Sequence, residues 1–266
     1  MNQFDRLVPS GLAALEADVR RHLRLLDLPA KPWLAPSDDG RGRPLLDVLV
    51  VGAGMNGIAA AGALLFKGVA NLRVIDRNAP GREGPWLTYA RMDTLRSPKT
   101  LPGPALGIPS LTFRAWYEAR FGEAGWEALY KIPNGVWAEY LTWLQRMLRL
   151  PLTHETEVTG LSPEGSAVRV TMRGPGGEET LLARHVVLAT GRAGAGGSHL
   201  PDFVDPALWP NLAAHTNESA IDFSSLRGAS IGVVGGGASA WDAAATALEQ
   251  GAGRVDEITT RVVLGE

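Results

Sequence analysis

The residues whose spacing could do chemistry are glycines. In Gly52-Ala53-Gly54-Met55-Asn56-Gly57 they stand first, third and sixth. The first permits a tight turn, the second lets a pyrophosphate approach the backbone, and the third lets a helix pack closely on a strand. A helix opening at such a loop directs unpaired N–H groups and its positive dipole at an anion. Asp76, beyond the next apolar run, is placed to accept hydrogen bonds from a ribose. A second loop, Gly235-Gly236-Gly237-Ala238-Ser239-Ala240, repeats the device with alanine in the sixth place. It predicts a nicotinamide nucleotide site at Gly235, Gly237 and Ser239. Arg261 is the only cation placed to read a 2′-phosphate, which favours NADPH over NADH. A solvated charge near the C-terminus is the competing reading for that arginine.

These loops need strands before them and helices after them. Leu46 to Val51 is a continuous apolar run, as in a strand buried on both faces of a parallel sheet. Ile58 to Phe66 reads as a helix and Leu72 to Ile75 as a second buried strand, completing a βαβ unit. Ser230 to Val234, an alanine-rich helix to about Gln250 and the strand Val255 to Thr260 repeat it at the C-terminal end. Between the two, Glu155 to Leu161, Ala167 to Arg173 and Glu179 to His185 read as a small antiparallel meander. Its turns fall at Pro163-Glu164-Gly165 and Gly174-Pro175-Gly176-Gly177. Val186 to Ala189 then reads as a further buried strand ending at Thr190-Gly191. The expected fold class is α/β: a Rossmann-like dinucleotide-binding domain with a small antiparallel β meander, followed by an incomplete second Rossmann βαβ unit.

Upstream, Leu12, Leu15, Val19, Leu23 and Leu26 form the apolar stripe of an amphipathic helix. Pro29, Pro32, Pro36 and Ser37-Asp38-Asp39-Gly40 mark a linker. From Pro80 to Pro133, prolines, glycines and tryptophans alternate with short helical pieces, which suggests a long excursion over a ligand. The expected divisions are 1–44 (helix and linker), 45–227 (the first dinucleotide-binding domain) and 228–266 (start of a second, incomplete nucleotide domain). Five of the eight tryptophans lie between Trp86 and Trp143, and core packing is the default reading for them.

The order of glycine loop, Asp76, meander, Ala189-Thr190-Gly191 and second glycine loop resembles the two-dinucleotide-binding flavoproteins, from about residue 45 onward. The resemblance implies that the first loop holds the FAD pyrophosphate and Asp76 its ribose. It also implies that Thr156-Glu157-Val158 lies along the adenine and that Thr190 and Gly191 end the strand under the flavin. Within that superfamily, Gly237-Ala238-Ser239-Ala240-Trp241-Asp242-Ala243-Ala244 resembles the G-x-S-G-x-D-x-A signature of flavin-containing and Baeyer–Villiger monooxygenases. Gly84-Pro85-Trp86 is similar to their glycine–tryptophan segment beside the flavin. Their linker fingerprint F-x-G-x-x-x-H falls on Trp209 to His215 and retains only the histidine. His215 is thereby the one candidate with a role in catalysis, against an ordinary hydrogen-bonded linker histidine. Arg96-Ser97-Pro98-Lys99 stands where the flavin-containing monooxygenases carry an N-x-S-K segment, without the asparagine.

Composition bounds the rest. With 266 residues, 45% hydrophobic and 20% charged, the chain can bury a substantial core. A formal net charge of −2 with interspersed signs gives no basic stripe for nucleic acid. The absence of cysteine excludes a disulfide-exchanging redox centre and a thiolate metal site. His154, His185 and His199 have no carboxylate or histidine partner at metal-ligand spacing, so no metal is assigned. No secretory signal and no apolar run of roughly 18 residues is present, so a cytoplasmic location and a small-molecule substrate are expected. The leading expectation is an FAD-dependent, NADPH-using monooxygenase. A flavin reductase without a cysteine pair and a catalytically incompetent or split FAD-binding fragment are the alternatives. A homodimer or a complementing C-terminal chain is the partner expected beyond substrate.

Overall fold

The computed structural model describes residues 11–259 apart from 193, 195 and 210. Two compact units divide the chain: Met1–Trp86 with Thr94–Ala195, and Leu87–Asp93 with Gly196–Glu266.

The first unit is built on a six-stranded sheet. Its strands are β1 (Leu46–Val51), β2 (Leu72–Ile75), β3 (Leu152–Thr153), β4 (Glu157–Glu164), β5 (Ala167–Gly174) and β6 (Gly177–Leu188). Their order is β3-β2-β1-β6-β5-β4. β1 is central and parallel to both β2 and β6, and from Val48 to Val51 its residues are buried. This is why it reads as an unbroken apolar run rather than an alternating one. β4 and β5 pair antiparallel and extend the sheet to one edge.

Two details depart from the sequence reading. The segments Glu179–His185 and Val186–Ala189 are not separate strands. β6 is one 12-residue strand that pairs antiparallel with β5 from Gly177 to Ala183 and parallel with β1 from Ala183 to Leu188. The residue pattern changes along it because the neighbour changes. Pro163, read as a turn residue, lies inside β4, paired with Val168. The strand tolerates it because β4 is at the sheet edge.

Helix α1 (Leu12–Leu25) buries Leu15 and Val19, the centre of the predicted stripe. Helix α2 (Met55–Phe66) follows the first glycine loop. The excursion after Pro80 is more helical than expected. α3 (Phe113–Ala128) runs 16 residues through a kink at Gly122, where φ is 78°, and α4 (Asn134–Met147) follows. Phe113, Trp116, Trp126, Trp137, Tyr140 and Trp143 from these helices form one core cluster with Leu15 and Val19. Ring centroids such as those of Trp137 and Tyr140 lie 5.2 Å apart. The four tryptophans of these helices are core, as the default reading had them.

The second unit holds β7 (Ser230–Val234), α5 (Ala238–Glu249) and β8 (Arg254–Ile258). β7 and β8 form a two-stranded parallel sheet, and Ala240 and Ala244 of α5 pack with Val233. This is the predicted second βαβ. No helix among the described residues is long and apolar enough to cross a membrane.

Candidate functional site

The first glycine loop sits at the C-terminal end of β1, where an open parallel sheet presents ligands to the following helix. Gly52 has φ 103°, and its N–H donates to the Ile75 carbonyl at 2.7 Å. A Cβ on Gly52 would lie 2.4 Å from the Ala189 carbonyl oxygen, so both conformation and space require glycine there. A Cβ on Gly57 would stand 1.8 Å from the Gly52 carbonyl oxygen. That contact is the close packing of α2 on β1 that the third glycine of the pattern was expected to allow.

Gly54 is different. It is the N-cap of α2, in an extended conformation with φ −66°, and no side chain caps the helix. A Cβ there would meet only backbone of Gly84, its Cα at 3.6 Å, which is ordinary contact. Nothing in the protein itself demands glycine at this position. The space in front of Gly54 is the cradle expected for a pyrophosphate, with the first-turn N–H groups of α2 uncapped beside it.

Asp76 is buried at 7% exposure, and its carboxylate braces the loop. Oδ2 accepts the Ala53 N–H at 2.8 Å and Oδ1 accepts the Asn78 N–H at 2.8 Å. Each oxygen keeps a further lone pair for a ribose hydroxyl. A second brace escaped the sequence reading: Gln145, buried on α4, donates from Nε2 to the Ala53 carbonyl at 3.2 Å. Its signal was a polar residue in the apolar row Trp137, Leu141, Leu148 at helical spacing. Thr190 and Gly191 follow directly on β6 and on Ala189, whose N–H donates to the Val51 carbonyl at 2.8 Å. Glycine loop, Asp76 and the Ala189-Thr190-Gly191 segment therefore meet at one end of the sheet.

Val158 packs in the core with Ile75, Val170 and Met172. The buried Thr156 donates its hydroxyl to the His154 carbonyl at 3.0 Å. Trp86 stacks edge-on against Trp137 with centroids 6.2 Å apart, and its buried indole N–H has no hydrogen-bond partner among the described residues. Lys99 is directed to α3: Nζ donates to the Trp126 carbonyl at 2.7 Å and lies over the Trp126 ring. His154, without a partner at metal-ligand spacing in the sequence, meets a carboxylate in the fold. Its Nε2 lies 2.5 Å from Oε1 of Glu83, a residue 71 positions away in sequence and so without any spacing signal.

The second loop repeats the first within its own unit. Gly235 has φ 130°. Gly237 is the uncapped N-cap of α5, with nothing within 4 Å of a Cβ position. The residue in the sixth place, Ala240, is buried and packs with Val233. Ser239 is exposed on the first turn of α5, and Arg261 lies outside the described residues. His215 belongs to a tight turn. Its Nδ1 accepts the Asn217 N–H at 3.1 Å, and its own N–H donates to Glu218 Oε1 at 3.1 Å. With Nδ1 accepting, the neutral ring carries its proton on Nε2 and presents a donor there. In the same unit Arg91 donates to the Glu218 carbonyl at 2.5 Å and lies over the Phe223 ring. Burial lowers the pKa of that arginine.

Over 258 residues the chain is 43% identical to an FAD-dependent urate hydroxylase from Xanthomonas campestris, a match covering 96% of this chain and 53% of the relative. It thus spans about half the length of that curated relative. Among solved structures, it superposes on an ornithine hydroxylase from Pseudomonas aeruginosa with a TM-score of 0.64 at 19% identity. That match covers 81% of this chain and 54% of the other. A flavin-containing monooxygenase from Stenotrophomonas maltophilia gives a TM-score of 0.61 at 22% identity, with 81% and 58% covered. At such identities the likeness shows the fold. Residues 130–262 match the model of the L-lysine 6-monooxygenase/L-ornithine 5-monooxygenase family. Residues 49–193, which contain the first glycine loop, Asp76 and Thr190-Gly191, match the FAD-NAD(P)-binding model, and the chain belongs to that family of flavoproteins.

Proposed function

We propose that this chain carries the FAD site and the nicotinamide nucleotide loop of a cytoplasmic, NADPH-using flavoprotein monooxygenase acting on a small molecule. The observation that carries the reading is Gly54, a glycine with no steric need of its own at an uncapped helix N-terminus. The N–H groups of the first turn of α2 would hold the pyrophosphate, and the free lone pairs of Asp76 the ribose. Val158 would flank the adenine, and Thr190 and Gly191 would lie beneath the flavin, with Trp86 beside it. Bound FAD supplies electron transfer and oxygen activation. The residues of the chain bind and orient it. In the second loop Gly235, Gly237 and Ser239 would hold the nicotinamide nucleotide, Arg261 its 2′-phosphate, and His215 would order the preceding segment through its turn. On this reading the FAD-binding part spans 45–227 and the nucleotide part begins at 228. Because the Xanthomonas relative is a urate hydroxylase, urate is the first substrate to test.

The experiment is anaerobic addition of NADPH to the FAD-loaded chain, followed by oxygen and urate. The account expects the flavin absorption to bleach, and oxygen and urate then to disappear in equal amounts. Gly237→Val should keep FAD and lose bleaching at low NADPH. Retained flavin colour with both NADPH and NADH would refute nicotinamide use by this chain.

A further inference from the structure

We propose that Gln145 is a positioning residue for the nucleotide cradle: it fixes the Ala53–Gly54 peptide with its N–H toward the diphosphate, without itself touching the cofactor. The inference rests on the FAD reading of that cradle. Gln145 is buried at 8% exposure on the apolar face of α4, beside Leu141 and Leu144, and its Nε2 donates to the Ala53 carbonyl at 3.2 Å. A side-chain amide so buried is costly unless a polar partner meets it. The partner it meets belongs to the glycine loop.

The peptide units of that loop are held one by one. The Gly52 N–H donates to the Ile75 carbonyl at 2.7 Å, and the Ala53 N–H to Asp76 Oδ2 at 2.8 Å. The next unit carries the Ala53 carbonyl and the Gly54 N–H. Among the described residues, Gln145 is the hydrogen-bond partner of that carbonyl, and the Gly54 N–H has none. In a planar trans peptide the two groups point in opposite directions, so a carbonyl turned to α4 presents the N–H away from it. The bond to Asp76 does not supply this orientation. It holds the preceding peptide, whereas the Ala53–Gly54 plane turns about ψ of Ala53 and φ of Gly54. Glycine at one of these two bonds makes the reversed plane accessible. Reversal would set the Ala53 carbonyl oxygen where the N–H stands and turn it against the phosphates. Gln145 thus selects a donor over an acceptor at one point of the cradle, beside the uncapped first turn of α2.

The test uses the full chain and three ligands: FAD, followed by flavin fluorescence, with ADP and millimolar adenosine measured as competitors that displace it. Gln145→Met keeps the side-chain volume and removes the donor. It should weaken FAD and ADP by the same factor, about ten-fold for one charge-assisted hydrogen bond, and leave adenosine, which has no phosphate, unchanged. Gln145→Glu keeps the shape, but its ionised carboxyl can only accept, while the protonated form donates again. Burial raises the pKa of such a carboxyl. The FAD affinity of this variant relative to wild type should therefore recover as pH falls from about 8 to about 5. Thermal unfolding of the ligand-free variants is recorded alongside. Wild-type FAD affinity in Gln145→Met would overturn the inference while leaving the FAD reading intact. So would an equal loss of adenosine, or a Gln145→Glu deficit that stays constant with pH. A wild-type chain that binds neither FAD nor ADP would overturn the FAD reading and this inference with it.

Discussion

Gly54→Ala and Gly57→Ala should separate ligand binding from folding, although the two residues lie three positions apart in one loop. At Gly57 the added methyl would sit 1.8 Å from the Gly52 carbonyl oxygen. To reach an ordinary C···O separation of about 3.3 Å, α2 must move roughly 1.5 Å off β1. The obstacle is backbone and not the end of a flexible side chain, so the cost belongs at the upper end of overpacking, about 3 kcal/mol. For a unit of this size that lowers the melting temperature by roughly 6–12 °C. At Gly54 the backbone conformation suits alanine and the nearest atom is 3.6 Å away. The expected cost is the weaker capping preference of alanine, about 1 kcal/mol, or roughly 2–4 °C. On the proposed reading, however, the methyl would stand where the pyrophosphate is held. With two charge-assisted N–H bonds lost, FAD affinity should fall about 100-fold. Differential scanning calorimetry of the ligand-free variants and flavin fluorescence titration make the comparison. A Gly54→Ala protein with wild-type FAD affinity would refute the assignment of that space to the cofactor. A Gly57→Ala protein that melts like wild type would refute the packing argument.

Burial in the aromatic core pushes the Tyr140 phenol well above its ordinary range, and its hydroxyl donates to the Leu111 carbonyl at 2.7 Å. The unfolded chain loses that proton near pH 10 while the folded chain keeps it, so stability is intact below that pH. It falls by about 1.4 kcal/mol per pH unit above it. Denaturant titrations from pH 9 to 11 should show this slope, and Tyr140→Phe should remove it while costing about 1–2 kcal/mol at neutral pH by orphaning the carbonyl. For His215, asparagine can accept the same Asn217 N–H in an Asx turn. His215→Asn should therefore leave NADPH-dependent flavin reduction unchanged, and a slowed reduction would assign the Nε2 donor a direct role.

The first βαβ unit was legible because each of its levels carries a strong local signal. β1 is buried on both faces and so lacks alternation, the glycines mark the turn, and Asp76 ends β2. What escaped the sequence lacks such signals. β3 is two residues long, too short to carry a period. The single strand β6 looks like two because its pairing changes at Ala183, from antiparallel with β5 to parallel with β1. The length of α3 is masked by Gly122 and by aromatic residues on several of its faces, which blur the helical stripe. In the site, Gly52 and Gly57 make the tight turn and the close packing their spacing implied, and Asp76 braces the loop. Gln145 and the Glu83–His154 pair could not be placed, because their partners are 92 and 71 residues away. Such distances are closed by the topology and not by any local pattern.

The central claim is that the cradle before Gly54 holds a dinucleotide, and the most direct test is titration of the ligand-free chain with FAD. The account predicts saturation at one FAD per chain, with ADP displacing it and Gly54→Val abolishing it. A chain that leaves FAD fluorescence unchanged at every ratio, or a Gly54→Val variant that saturates like wild type, would contradict it.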